Sequence, residues 1–580
     1  YEVFIPEESG AVLTYSAPAQ KKIKKSFFET KKAKKKRRRK IKEEKEKVRV
    51  LKLDEKSFSK GLVNCAYNNI SARLNLKNNI VKMESVYNLK VYENNGKVRC
   101  YARNDSNKHF KLAWERRANG SYVLYDYNEY DLIKEIKTTN PHRDKIYAWA
   151  KFHYYYPNRY NKAKEGSEKD FEVKTSDGRT YKFRHKTYRK NKRENPFFLL
   201  ISIREDKVEE NYEYHTHIKN TKPLVKKQSI PGKRSLYVNY YLLGHKNEGI
   251  VIKKKKDFRF QKVRSLKAPV GGDNNYHEIY RFEYTPGKIG KKDGNTAVYD
   301  ANNNKTVFYY SKDLRVDRID RYDKNHKRIN SEILSWGKKN EVSYLLARSL
   351  VDSCGKVMSS KRYFYDDNGN IIEERIYGNI SGSCNVSVRL NNENLPLNNG
   401  VETFSKYYKY SKNNLLIEEK DSSRKIIYKY VPNTDLLSAK YIFNEKGIKI
   451  RYFYEYDRDN VLIKEIEDDG TSFDKDDLQN VSQRKIIQIT PKRSYPYICF
   501  PEVIEEKYFD IYQMEEKLQK KIVLTYSKRG NVIQKDVYDN QDEKRYGLTY
   551  KYDERDNIIY ETNAIGQERI SKYDLSLIHI

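Results

Sequence analysis

The sequence predicts a mainly β chain, a curved, spiralling antiparallel sheet of repeated β-hairpins behind a basic N-terminal segment. Three observations carry that prediction. Apolar and polar residues alternate over short runs that end in turn residues, the period of a half-buried strand. Tyrosine is abundant, at 53 of 580 residues, and a ring with a polar tip suits a strand face that is half wet. A Tyr-led turn motif recurs through the C-terminal half, and a chain built from repeats is divided by its repeats rather than by its length.

Residues 1–50 read as a disordered or helical basic segment. Within it, residues 21–47 (KKIKKSFFETKKAKKKRRRKIKEEKEK) hold 16 Lys/Arg against 4 Glu, a large part of the net charge of +37. The first reading of that run is a solvated, partly helical linker. The second is contact with a polyanion, nucleic acid or anionic membrane, because clustered Lys/Arg releases counterions from it. Only Phe27 and Phe28 are there to stack on bases.

Residues 51–165 read as a divergent β region and residues 166–321 as leading β repeats. EVKTSDGRTYKF (172–183) is the clearest hairpin, with Asp177-Gly178 suited to a two-residue type I′ turn. YENNGKV (92–98) and VYDANNNKTVFYY (298–310) repeat the strand–turn–strand pattern, with Asn or Gly where positive φ is needed. FFLLISI (197–203) is the longest apolar run; it fits a buried strand and is far short of the ~20 residues of a membrane-spanning helix. YFDIYQMEEKLQKK (508–521) is the one stretch with a helical period.

Residues 322–574 carry the repeat. Aligned on tyrosine, the copies are YDKNHKRI from Tyr322, YDDNGNII from Tyr365, YSKNNLLI from Tyr410, YVPNTDLL from Tyr430, YDRDNVLI from Tyr456, YSKRGNVI from Tyr526 and YDERDNII from Tyr552. The eighth position is always aliphatic: Ile329, Ile372, Ile417, Leu437, Ile463, Ile533 and Ile559. The fifth is a turn residue in most copies (Gly369, Asn414, Asn460, Gly530, Asp556), while His326 and Thr434 depart from it. The expected unit has Tyr ending one strand, Asp or Ser capping the turn, and a residue tolerant of left-handed φ. The aliphatic residue then re-enters the core as the cross-strand partner of Tyr. A second half follows, since TNAIGQERISKYD (562–574) aligns with YDANNNKTVFYYS (299–311), Tyr573 falling on Tyr310. Two strands in about 21 residues, from Tyr552 to Tyr573, make one unit. Longer intervals contain insertions such as SGSCNVSVRLNNENLPLNNG (381–400).

These motifs resemble the RHS/YD-repeat family. Tyr365-Asp366 with Gly369-Asn370 and Ile372, Tyr526 with Gly530-Asn531 and Ile533, and Tyr552-Asp553 with Ile559 carry the resemblance. TSDGRTYKF, LKAPVG (266–271) and residues 298–311 resemble the divergent leading repeats of such proteins in chlamydia-like bacteria. The likeness spans roughly 170–580. It implies a sheet of hairpins spiralling into a hollow shell, secreted or on the cell surface, often in a polymorphic toxin or toxin complex. Such shells enclose a C-terminal toxin domain freed by self-cleavage. Neither the cleavage region nor a toxin domain has a counterpart in this sequence. Some family members are associated with carbohydrate, so a surface module binding glycan or a receptor protein is the alternative expectation.

Candidate chemistry is sparse. No phosphate-binding glycine loop and no nucleophile elbow occurs, so neither catalysis nor a cofactor is expected. Glu213, His215 and His217 in EYHTH fall on one strand face and are the candidate metal ligands, against the plainer reading of a wet strand face. Asp468, Asp469, Asp474, Asp476 and Asp477 in IEDDGTSFDKDD crowd together without the spacing of a calcium loop, and read as a solvated acidic loop. The five cysteines are scattered, leaving one Cys354–Cys384 bridge or free thiols. The chain opens on Tyr rather than Met, and LSLIHI (575–580) resembles the translation of a sequencing adapter. Both ends are therefore expected to be those of a fragment.

Overall fold

The computed structural model describes residues 2–6, 12–16, 50–53 and 80–573, apart from 85–86, 94, 104–109, 156–167, 189–196, 207, 216–222, 231–233, 243–256, 270–274, 287–293, 311–314, 338–343, 384–385, 495–496 and 555. The described residues form forty strands and no helix. All but a short pair, Arg389–Leu390 with Pro396–Leu397, belong to one 38-stranded antiparallel sheet. Every pairing joins strands that follow one another along the sheet, so the chain is a meander, and it does not close into a barrel. Pairing continues between Ile146–Tyr154 and Glu168–Thr175, across the expected boundary near residue 165.

The turn of the repeat is now explicit. After Tyr365, the Asp366 side chain accepts the amides of Asn368 and Asn370 at 2.9 and 2.8 Å. Gly369 takes φ +84° and donates its amide to Asp366 O. This is a type I turn closed by one left-handed residue, a three-residue hairpin loop. The same construction recurs at Asp323, Ser411, Asp457, Ser527 and Asp553. His326 takes φ +61° in its copy despite its side chain. In the Tyr430 copy the left-handed residue is Asn433 rather than Thr434, and the loop is one residue longer. The Asp177-Gly178 hairpin also uses this turn. Only Gly178 is left-handed, and Thr175 N bonds Arg179 O, so the loop has three residues, not two.

The register corrects the expected partner of the repeat Tyr. Tyr365 pairs with Ile371, Tyr410 with Leu416, Tyr456 with Leu462, Tyr526 with Val532 and Tyr552 with Ile558. The partner is thus the seventh residue. The eighth is skipped by the ladder as a β-bulge. A bulged residue need not point to the core: Ile329 is 53% and Ile372 39% exposed, while Ile417, Ile463, Ile533 and Ile559 are half-buried. Only in the longer Tyr430 turn is the eighth residue, Leu437, the partner.

Tyrosine has a second task. Successive strands end at opposite edges of the sheet, and at one of them, the tyrosine edge, every second strand ends on or beside an aromatic residue over long stretches. There Tyr430 Oη donates to Leu416 O at 2.7 Å and Tyr552 Oη to Val532 O at 2.7 Å, each acceptor being the seventh residue of the preceding turn. Tyr127, Tyr284, Tyr365 and Tyr526 make the equivalent bond to Leu112, Val263, Leu345 and Pro501. Trp336 does so through its indole nitrogen, to Val316 O at 2.8 Å. Tyr322 lies on the other edge and bonds Asp320 instead. Burial pushes these phenols up, Tyr284 to about 12, so they remain proton donors well above neutral pH.

The expected helix over 508–521 is a hairpin of Pro501–Asp510 and Glu515–Tyr526. Asp510 caps its turn by accepting the amides of Tyr512 and Gln513, and Met514 takes φ +54°. Opposite charges face one another across it, Glu506 with Lys520 at 2.8 Å. Cross-strand pairing thus outweighs a helical period that spans only one short segment.

If the tyrosine stitch acts as described, Tyr552→Phe loses about 1 kcal/mol of stability, measured by denaturant unfolding. Tyr560→Phe, whose hydroxyl meets only exposed Glu568, serves as the control and changes little.

Candidate functional site

Two features stand out from the repeating sheet: a seam where the sheet meets itself, and a face onto which its long connections fold. At the seam, turns of an early stretch touch tyrosine-edge turns more than three hundred residues later. Asn140 Nδ2 donates to Asp459 Oδ1 at 2.8 Å across 319 residues. Lys145 Nζ reaches Asp459 Oδ2 at 2.6 Å, and His142 Nε2 lies 2.9 Å from Arg458 O. Asn460 Nδ2 donates to Asn119 O at 2.9 Å, Arg116 to Asn433 O at 3.2 Å, and the Asp435 amide to Ala118 O at 3.2 Å. Gly120 sits so close that a Cβ would stand 2.9 Å from Asn460 Nδ2, and its φ is +90°. A second clasp joins Arg179 to Asp556 at 2.7 Å, and Arg529 to Asp206 at 3.0 Å and Glu205 at 3.3 Å.

Asp459 is the centre of the first clasp, its side chain 1% exposed. Burial raises its pKa, but hydrogen bonds from Lys145 and Asn140 and the charges of Lys145 and Arg458 outweigh that. The carboxyl is held below the usual range. The seam residues are the third to sixth positions of the repeat turns. The third, fourth and sixth vary between copies, while the fifth, Asn460 or Asp556 here, also takes the left-handed φ that closes its turn. Asn460 and Asp556 thus both build a turn and dock it.

The second feature is a face of the sheet onto which three connections fold, all leaving from the edge opposite the tyrosines. The 381–400 insertion lies over Ser335, whose hydroxyl donates to Glu393 O at 2.6 Å. It packs Val388 and Leu390 against Tyr377 and Val357. The 501–526 hairpin bends so that Glu516 meets Lys464 at 3.0 Å.

The third, residues 469–483, is built on Arg451. This guanidinium is fully buried and paired with the equally buried Asp468. Its remaining protons go to the carbonyls of Ser472, Asp474 and Asp477 at 2.9, 2.6 and 2.7 Å. Gly470 turns directly against it, and any Cβ there would collide with the guanidinium. Tyr441 Oη donates to Phe473 O at 2.9 Å. The acidic stretch is therefore an ordered loop whose carbonyls converge on an internal cation, not the solvated loop expected from composition.

Of the expected metal ligands, Glu213 is exposed and 3.8 Å from Lys226, while the His215 ring meets Tyr240 edge-on at 6.0 Å. His217 lies outside the described residues, as do the basic run 21–47, Cys384 and residues 575–580. Among the described residues no three His, Cys, Asp or Glu side chains gather in a metal-holding group, and no helix is long and apolar enough to cross a membrane. Cys354 is an exposed free thiol.

No protein-family model matches this chain, and no curated protein does. Among solved structures it is similar to a TcdB2–TccC3 crystal structure, at 11% identity over 86% of this chain and 28% of that one, with a TM-score of 0.25. The Tc holotoxin pore of Photorhabdus luminescens gives 11% identity over 84% and 28%, again at 0.25. A porin-like protein from Bacteroides uniformis gives 10% identity over 41% of this chain and 91% of that one, at 0.17. Scores this low carry no argument about function. The chain spans 28% of the length of the toxin-complex chains it matches.

Removing Arg451 leaves the buried Asp468 with only Arg484, 3.7 Å away, as counter-charge and strips the loop carbonyls of their donor. Arg451→Leu should cost about 3–5 kcal/mol, read by thermal unfolding, and should open residues 469–483 to protease. Cleavage no faster than in the parent chain would show that the loop does not depend on this pair.

Proposed function

We propose that this chain is a non-catalytic scaffold, a length of RHS/YD-repeat shell from a secreted toxin or effector system. One observation supports this above the others: a meander whose short Tyr-led turns dock on turns 319 residues earlier, so that successive coils stack edge on edge. Such a wall encloses volume with backbone ladders inside each coil and side-chain contacts between coils. The described residues put their polar side chains to structural use, in turn caps, seam clasps and the Arg451 loop, which is the economy of a container wall. The partner of such a wall is the polypeptide it shelters, and the resemblance in the repeats makes a C-terminal toxin domain the first candidate.

The test is to read the intact gene. The proposal expects further Tyr-led repeats, then a self-cleavage region and a variable C-terminal domain in the same frame. A frame that closes shortly after residue 574 with none of these would overturn it.

A further inference from the structure

The ladder and the seam are held by different forces. Within a coil, each strand is bonded to the next by backbone amides and carbonyls, which do not titrate. Among the described residues no strand pairing crosses the seam. Its contacts are side chains and single backbone bonds between turn tips.

The seam is also charged. Facing Asp459 are Asp144, Lys145, His142 and Tyr147 from the early coil, Asp457 and Arg458 from its own turn, and Arg493 and Cys499 from the neighbouring loop. The second clasp sets Asp177, Glu205, Asp206 and Asp556 around Arg179 and Arg529. Both clasps thus hold cations in place with carboxylates.

We propose that the seam is an acid- and salt-sensitive closure, which lets the coils part while the sheet within each coil stays folded. This goes beyond the scaffold reading and does not depend on what the shell contains. Protonation of Asp459 removes the carboxylate shared by Lys145 of the early coil and Arg458 of its own turn, and leaves those two cations facing across the seam. The sign follows from the geometry. A carboxylate held below its ordinary range contributes stability above the unfolded value, about 3.9 for Asp. That contribution is lost as pH falls through the folded value. His142 does not oppose this, because protonated it still donates to Arg458 O.

Hydrogen exchange tests the proposal on the chain as it stands. The Asp435 amide bonds Ala118 O across the seam and reports closure, while amides of Lys425–Tyr430 report the ladder. After correction for intrinsic rates, Asp435 should lose protection below about pH 4, and at neutral pH in ~1 M salt, with the ladder amides and the far-ultraviolet β signal unchanged. Asp459→Asn combined with Asp556→Asn should lower Asp435 protection about tenfold at pH 7. Loss of seam and ladder protection together in the unmodified chain would overturn the proposal whether or not the variant folds. An unchanged Asp435 in a folded variant would do the same.

Discussion

Most repeat turns of this sheet begin with a short oxygen-bearing side chain that accepts two backbone amides, and close on one residue of left-handed φ. Asp366 with Gly369, Ser411 with Asn414 and Asp457 with Asn460 are the same device. In these copies the next strand starts at a fixed register with one residue bulged. The bulge increases local twist, and repeated along an edge, that twist contributes to the coiling of a flat ribbon. Tyrosine hydroxyls then tie several of the turns to the one before, which stiffens the edge beyond a row of loose hairpins.

The composition follows from this architecture. A single winding sheet has little closed core, and one apolar cluster gathers Ala439, Tyr441, Phe453, Ile466 and Ile486 beneath the Arg451 loop. Elsewhere the faces are covered by aromatic rings under cationic side chains. Arg143 lies 3.8 Å from the Tyr122 ring centre, Arg318 4.1 Å from Tyr309 and Arg281 4.3 Å from Tyr299. A Lys- and Arg-rich chain that is also Tyr-rich can satisfy much of its positive charge this way. Buried acids add to it, as where Glu332 takes both Arg321 and Arg348.

The sheet, its antiparallel order and the turn positions were legible in the sequence, because capping, left-handed φ and period-two alternation are local properties. His326 shows the limit of residue types: the turn geometry imposed φ +61° on a residue the motif would not choose. The role of the eighth position was misread because a bulge changes which residue faces its neighbour without changing composition. The 508–521 hairpin was obscured because charge spacing on a helix and across a hairpin look alike in one dimension. The seam could not be read at all. Asn140 and Asp459 are ordinary turn residues until the coil brings them together, and nothing near either names the other. Arg451 was hidden likewise, although a lone glycine amid five aspartates, Gly470, was a faint sign that something large approaches there.

The connections 379–401 and 469–483 both leave from the edge opposite the tyrosines. The early turns of that same edge, at 117–121 and 140–145, are short and pressed into the seam. A turn tip such as 117–121 meets another coil directly, whereas the 469–483 connection folds over an open face. Such a wall can lengthen its loops on the free side, lesson by lesson of mutation, without altering its pitch. Exchanging the turn tips would instead change how the coils mesh. The chain thus keeps its decoration and its gearing in separate registers, and each is free to drift without disturbing the other.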